Sequence, residues 1–130
     1  MKDVVAVILI NEEKKLLMQL RDDKPTIVSP NCWGLLGGSV EKGESFEQAL
    51  RREIKEEINY SLVDFTYVGD LDDLMGSLVH IYKSKINKRL GELVLTEGQR
   101  LGYFSFDEIF KLKTPEIMKY FLIKNKSKII

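Results

Sequence analysis

Apolar residues occur in short runs separated by polar, turn-forming segments, and the spacing within each run predicts the secondary structure. Asp3 to Ile10 is rich in valine and isoleucine, and Leu16 to Arg21 could pair with it as a hairpin across the polar segment NEEKK. Leu62 to Val68 and Leu78 to Ile86 have the composition and partial alternation of strands, and the glycine- and aspartate-rich segment between them indicates a second hairpin. Tyr103 to Phe106 is expected to form a short last strand.

Two segments have helical spacing instead. Ser45, with Gln48 three residues later, has the sequence of a capping box, and Asn59 is a residue type that takes the left-handed conformation at helix ends. Between them, apolar residues recur at intervals of four, at Phe46, Leu50, Ile54 and Ile58. A second helix is expected to begin with Thr114 as its N-cap and Pro115 in its first turn, while KNKSK near the end has the composition of a frayed, solvated tail.

The order of these elements predicts the fold class. The segment DDKPTIVSPN contains two prolines and is expected to be a loop that could fold over a site, and a short apolar stretch around Trp33 then runs into paired glycines. Strands mixed with two well-separated helices indicate an α/β (α+β) domain whose mixed sheet is covered on both faces. A chain of 130 residues, 44% of them hydrophobic, can bury its own core, so we expect a single domain over residues 1–130.

Composition and charge exclude several partners. Twenty basic and twenty acidic residues give a net charge of zero, which provides no overall field for binding nucleic acid or a membrane. The single cysteine, Cys32, rules out an internal disulfide and favours a reducing compartment, so a cytoplasmic location is expected. The early apolar run Val4 to Ile10 is too short to span a bilayer, and NEEKK follows it where a signal peptide would have the small residues of a cleavage site.

An acidic cluster on the first predicted helix requires an explanation. Glu53, Glu56 and Glu57 fall on one arc beside the apolar stripe, near the helix C-terminus. Like charges at this spacing cost about 0.2 to 0.5 kcal/mol per pair and also oppose the helix dipole. A bound Mg²⁺ or Mn²⁺ ion would reverse both effects. The alternative is an ordinary solvated helix face, which REIKEE taken alone favours because basic residues alternate with the acids.

The context of this cluster resembles a known family. Gly38 is followed after five residues by Glu44 and after seven more by the run Arg52 to Glu57, which is the spacing of the Nudix box. Asn59 stands where the box usually has glycine, and Leu36 where many members have proline before the two glycines. Chain length, Trp33 and the strand order also resemble the MutT-like members, which implies an α/β/α sandwich with a mixed central sheet and two main helices.

The resemblance implies roles for particular residues. The carbonyl of Gly37 would join Glu53, Glu56 and Glu57 around Mg²⁺, and the segment Glu97-Gly98-Gln99 resembles the part that supplies a further carboxylate, so Glu97 is a candidate metal ligand. Glu44 and Arg52 would orient these ligands. Glu53 is our first choice as the base that activates water, and Glu97 is the second. Arg21 resembles a phosphate-contacting position. Gly37 and Gly38 can adopt backbone angles closed to other residues and let a main-chain carbonyl approach an ion or phosphate, which makes Gly38 a candidate substrate-binding residue with Arg21; the alternative is a simple tight turn.

The implied activity is Mg²⁺-dependent hydrolysis of a nucleoside diphosphate linked to another group. Nucleoside triphosphates, including oxidised ones, are the expected substrates, with nucleotide sugars and dinucleotides as alternatives. A module that senses nucleotides without cleaving them is a further alternative, and a monomer and a homodimer are both open. His80 is expected to be structural, Trp33 and Tyr103 belong either to the core or to a base-stacking surface, and Cys32 shows no sign of thiol catalysis.

Overall fold

A computed structural model describes residues 1–130, and it contains one seven-stranded sheet and four α-helices. The strands are β1 (Lys2–Ile10), β2 (Leu16–Leu20), β3 (Trp33–Gly34), β4 (Leu36–Ser39), β5 (Thr66–Asp72), β6 (Ser77–Lys85) and β7 (Arg100–Phe104). The helices are α1 (Phe46–Ile58), α2 (Phe106–Ile109), α3 (Glu116–Lys124) and α4 (Lys126–Ile129), with a short 3₁₀ turn at Leu90–Glu92. No helix has the length and apolar character needed to cross a bilayer.

Strand β1 organises the sheet. It pairs in parallel with β6 along its whole length, and its other edge is divided between β4 and β2. The expected hairpin of β1 and β2 is therefore wrong in extent: the two strands meet only where Ile10 pairs with Leu16, because β4 occupies the edge from Val4 to Val7. All other pairings are antiparallel, so the predicted mixed sheet is confirmed.

The alternation of side chains along β1 creates two cores. Val5, Val7 and Leu9 face α1, whose apolar stripe of Leu50, Ile54 and Ile58 is fully buried against them. Ala6 and Ile8 point to the opposite face, where they pack with apolar residues of α2, α3 and α4. Both faces of the sheet are covered by helices, which confirms the expected three-layer arrangement and places the acidic helix α1 on one defined face.

The boundaries of the later strands differ from those predicted. β5 begins at Thr66 rather than at Leu62, and it continues through the Gly-Asp segment that the composition assigns to a turn. The turn itself lies at residues 73–76, where Asp73 accepts hydrogen bonds from the backbone N–H groups of Met75 and Ser77. β7 likewise begins earlier than predicted, at Arg100, and it ends earlier, at Phe104, because Ser105 caps α2 and Phe106 is the first residue of that helix. In β5, pairing with the long strand β6 overrides the turn preference of Gly69 and Asp70.

The predicted ends of the first helix are confirmed, whereas the predictions for the last helical segment differ from the structure. α1 has the expected capping box at Ser45, and Asn59 ends it in the left-handed conformation at φ 54° and ψ 40°. In α3, Pro115 rather than Thr114 is the N-cap residue. The expected tail is solvated, since Lys126, Ser127 and Lys128 are exposed, but it is not frayed: these residues form α4, and the adjoining Ile129 is buried in the second core.

Candidate active site

The paired glycines of β4 lie directly against two carboxylates of α1. The backbone N–H of Gly37 donates a hydrogen bond to Oε1 of Glu57 at 3.0 Å. A Cβ atom added to Gly38 would lie 2.3 to 2.6 Å from the three carboxyl atoms of Glu53. The absence of a side chain at Gly38 therefore creates the space that the Glu53 carboxylate fills.

Neither glycine is required for its backbone angles. The glycines with left-handed φ are Gly43, Gly76 and Gly98, whereas Gly37 and Gly38 lie in a β-strand. A Cβ on Gly37 would meet the carbonyl oxygen of Val5 at 2.0 Å, so this position must be small to allow β4 to pair with β1. Both sequence-based interpretations of the pair, special angles and a tight turn, are wrong, and the physical requirement is space.

Arg52 ties α1 to the segment that precedes it. Its Nε and Nη2 atoms donate to the two carboxylate oxygens of Glu44 at 2.7 and 2.9 Å, and Nη2 also donates to the carbonyl of Ser39 at 3.0 Å. Its Nη1 atom donates to Glu53 at 2.9 Å. The hydrogen bonds from Arg52 lower the pKa of Glu44 to about 2, and those from Glu44 and Glu53 raise the pKa of Arg52. The bidentate contact with Glu44 fixes the orientation of Arg52, and Nη1 of Arg52 in turn holds one oxygen of Glu53 in place.

Glu53 and Glu57 share a poorly solvated space. Burial is the main cause that raises the pKa of Glu57 to about 8, and the neighbouring charges of Glu53 and Glu97 add to it. Burial also raises the pKa of Glu53, although its hydrogen bond to Arg52 opposes this. Glu57 forms no ion pair with the protein. Glu53 is therefore paired with one cation and Glu57 with none, which leaves the two carboxylates short of positive charge.

Glu56 stands apart from this pair. Its side chain is 60% exposed and its carboxylate lies 3.4 Å from Nη1 of Arg52. No set of three acidic, histidine or cysteine side chains converges on a single metal-sized point. The donor chemistry still fits a hard divalent cation, because carboxylate oxygens at a site that lacks positive charge are the ligands that Mg²⁺ prefers.

The segment around Glu97 joins the site from the far side. Thr96 donates from its backbone N–H to the carbonyl of Glu57 at 3.0 Å and from its hydroxyl to the carbonyl of Glu56 at 2.9 Å, so it caps the C-terminal end of α1. Glu97 follows directly, near enough for its charge to raise the pKa of Glu57. Arg21 acts on Glu57 in the opposite sense, and its Nε is held by the carbonyl of Val28 at 2.8 Å.

Two side chains that organise this region are not predicted by any motif in the sequence. Gln19 is a buried amide in β2 that donates to the carbonyl of Glu97 at 2.7 Å, and Thr96 provides the helix cap described above. The available signal for Gln19 was a polar residue in the apolar strand LLMQL. No signal existed for Thr96, because its partners are 39 and 40 residues away.

The only histidine lies away from the carboxylates, beside the start of α1. His80 is 5% exposed, with Nδ1 2.8 Å from Asp70 and Nε2 2.9 Å from Asp3, and its ring stacks on Phe46. Burial by itself would lower the pKa of His80, but the hydrogen bonds to the two aspartates outweigh it and raise that pKa. Both ring nitrogens can donate at once only when the imidazole is protonated, so a carboxylate on each side favours its charged form.

A cavity of about 830 Å³ lies elsewhere, at the C-terminal ends of β1 and β6. Its lining includes Ile10, Tyr60, Phe65 and Lys85. None of the predicted site residues lines it, so the site is defined by its donors and charges rather than by the volume of a pocket.

Comparison with known proteins gives consistent results. A family model described as NUDIX domain matches residues 1–124. A nucleoside triphosphatase, NudI of Escherichia coli, is 42% identical over 62 residues, which are 48% of this chain and 43% of NudI, so the match spans less than half the length of these curated relatives. The MutT protein from Methanosarcina mazei Go1 superposes with a TM-score of 0.87 at 18% identity, over 98% of this chain and 94% of that one. A MutT structure from Aliivibrio salmonicida or Vibrio cholerae gives a TM-score of 0.77 at 23% identity, over 98% of both chains. At these identities the two structures show a common fold.

Proposed function

The chain belongs to the Nudix family, and from this premise we propose that it is a pyrophosphohydrolase that cleaves a phosphoanhydride bond in a nucleoside diphosphate-linked substrate. The observation that carries the proposal is the seat of Glu53, whose carboxylate fills the space left by Gly38 while Arg52 fixes one of its oxygens. A solvated helix face, the alternative reading of the acidic run, does not require a glycine opposite one carboxylate.

The ion proposed for the site is Mg²⁺, with Mn²⁺ as a substitute. Glu53, Glu56, Glu57 and Glu97 would hold it, together with the carbonyl of Gly37. When bound, the ion would neutralise phosphate charge and lower the pKa of a coordinated water. The raised pKa of Glu57 fits this role, because the ionised form of a buried carboxylate without a paired cation is stabilised strongly when a metal ion binds.

The chain's own residues then orient the reactants. Arg52 and Glu44 keep the Glu53 carboxylate in place, so that it can accept a proton from the attacking water, and Glu97 is the second candidate for this step. The side chain of Arg21 donates within the protein only from its Nε, which leaves its two Nη groups available to hydrogen-bond a phosphate.

Nucleoside triphosphates are the substrates that we propose. The support is the similarity to NudI, a nucleoside triphosphatase, over about half of this chain. The lone thiol of Cys32 fits a reducing compartment, and we propose a cytoplasmic location on that basis.

The test is a hydrolysis assay with a panel of dNTPs, nucleotide sugars and dinucleotides, with and without Mg²⁺, in which released phosphate and pyrophosphate are identified. The wild-type protein should turn over at least one triphosphate, and Glu56→Gln should reduce turnover by about 10²-fold or more. Glu47→Gln is the matched control, because Glu47 lies in the first turn of the same helix, away from the glycines. Tight nucleotide binding by the wild type without release of any product would instead identify a sensing module.

A further inference from the structure

Gln19 is an unusual residue for its position in the fold. It lies in β2 between β3 and β7, paired with Gly34 and Leu101, and it is only 7% exposed. Leu17, two residues earlier, packs in the core beneath α1, so Gln19 points to the same face of the sheet as the carboxylates. A buried amide on that face needs a hydrogen-bond partner, because leaving it unpaired costs about 1 to 3 kcal/mol.

Its partner is the backbone of the Glu97 segment. Nε2 of Gln19 donates to the carbonyl of Glu97 at 2.7 Å, across 78 residues of sequence. The neighbouring Gly98 has φ of +87°, and a Cβ there would lie 2.8 Å from the same Nε2 atom. Gln99 continues the contact by donating from its backbone N–H to the carbonyl of Leu20 at 2.8 Å. The segment is thus seated closely on β2, with Gln19 at its centre.

The position of the Glu97 carboxylate depends on these contacts between its segment and β2. The carboxylate makes no hydrogen bond or ion pair with any side chain or backbone group of the protein, and the residue is exposed. Its position near Glu57 is therefore set by its own backbone, which Thr96 fixes on one side and Gln19 fixes directly.

We propose that Gln19 is a positioning residue for hydrolysis, whose buried amide holds the Glu97 carbonyl and so aims the Glu97 carboxylate at the space beside Glu57. The proposal rests on the proposed function, in which Glu97 is a metal ligand or base. It adds a residue in an interior strand, far in sequence from the acidic helix, to the group that determines the rate.

A double-mutant cycle tests it. Gln19→Met keeps the size of the side chain and removes the donor, and we expect kcat to fall about 10- to 100-fold with KM changed less than about threefold, because displacement of a reacting group by about 1 Å has effects of this order. In a Glu97→Gln background the same substitution should cause no further loss of kcat. Equal losses in both backgrounds, or an unchanged kcat in the single variant, would overturn the proposal.

Asn125→Leu is the matched control for stability. Asn125 is also a buried amide, and its Nδ2 donates to the carbonyl of Phe121 at 2.9 Å, in the opposite core. This variant should lower the melting temperature by an amount similar to Gln19→Met while it leaves kcat unchanged. A proportional loss of kcat in the control would show that Gln19 acts only through stability.

Gln19→Glu keeps the test decisive if the methionine variant does not fold. Its carboxyl group has the same shape, and it can donate to the Glu97 carbonyl only when protonated. Its kcat relative to wild type should therefore recover as the pH is lowered, and a ratio independent of pH would contradict the proposal. The same assay distinguishes failure of the proposed function from failure of the role of Gln19. If the wild type hydrolyses no nucleotide, the proposed function fails; if the wild type is active and Glu97→Gln keeps full activity, the hydrolase stands and the role of Gln19 falls.

Discussion

A single added methyl group at each of the paired glycines should separate the stability of the fold from the chemistry of the site. In Gly37→Ala the new Cβ would lie 2.0 Å from the carbonyl oxygen of Val5 and 2.7 Å from Cα of Ala6, both of them backbone atoms of the central strand. In Gly38→Ala the three nearest atoms would be the carboxyl carbon and the two carboxyl oxygens of Glu53, at 2.3 to 2.6 Å. The clash in Gly37→Ala would push two paired strands apart, whereas the clash in Gly38→Ala would displace the end of one flexible side chain.

The magnitudes follow from the distances. Contacts between such atoms are comfortable at about 3.5 Å, so each clash must be relieved by more than about 1 Å. Inserting a methyl group between β4 and β1 overpacks the space between them, and moving the strands apart to relieve it breaks backbone hydrogen bonds, at a total cost of about 3 kcal/mol or more. Rotating Glu53 costs much less, and alanine is a slightly better strand residue than glycine, so Gly38→Ala should stay within about 1 kcal/mol of wild type. The displaced carboxylate would nevertheless lose its hydrogen bond to Arg52, and a shift of this size costs about 10²-fold in rate.

Thermal melts and Mg²⁺-dependent hydrolysis of a triphosphate, measured on the same preparations, check both halves. Gly37→Ala should lose about 10 °C or more in melting temperature, whereas Gly38→Ala should change by about 3 °C at most and lose activity. Equal losses of stability in the two variants would refute the spatial reading of the glycines. A Gly38→Ala protein that keeps its kcat/KM within about threefold would show that the seat of Glu53 does not control the chemistry.

Three further predictions concern individual charges. In metal-free protein, Glu57 holds its proton longer in the folded state than in the unfolded state, because its folded pKa is about 8 against a usual value of 4.5, so stability falls as pH rises across this window. Urea titrations with EDTA should therefore show Glu57→Gln to be more stable than wild type by on the order of 2 to 4 kcal/mol at pH 8 and above, with no advantage below pH 4.5. The raised pKa of His80 means that the protonated imidazole stabilises the folded state fully below the usual pKa of 6.5 and loses this effect as pH rises through the folded pKa. The difference in melting temperature between wild type and His80→Gln should therefore narrow above pH 6.5. A difference that does not change with pH would contradict the charged imidazole. In Glu44→Gln only one oxygen remains to accept a hydrogen bond from Arg52, so kcat should fall while nucleotide binding is kept. An unchanged kcat would mean that Arg52 orients Glu53 without help from Glu44.

The sequence predicted what depends on neighbours along the chain. The capping box at Ser45 and the left-handed end at Asn59 are set by residues within one helical turn of each other, and both were predicted correctly. The acidic residues of α1 and their register with the apolar stripe follow from the same local periodicity. The mixed sheet with helices on both faces was also predictable, because it follows from the order of the elements.

Long-range contacts account for what the sequence could not predict. Glycine at position 37 is explained by the carbonyl of Val5, which only strand pairing brings near it. The last residues form a helix because Ile129 reaches the second core, a tertiary contact that outweighs their charged composition. Glu56 illustrates the same limit, since periodicity places it with Glu53 and Glu57 while the structure leaves it at the solvent-exposed rim.

The cap that Thr96 places on α1 makes two distant parts of the chain open together. Two of the last carbonyl groups of the helix, on Glu56 and Glu57, accept hydrogen bonds from Thr96, the residue that immediately precedes Glu97. Fraying of that last turn must release the loop, and withdrawal of the loop must expose the end of the helix to water. A ligand that draws Glu97 toward itself thus also tightens the helical turn that carries the other acids, so slower amide hydrogen exchange should appear in both segments at once.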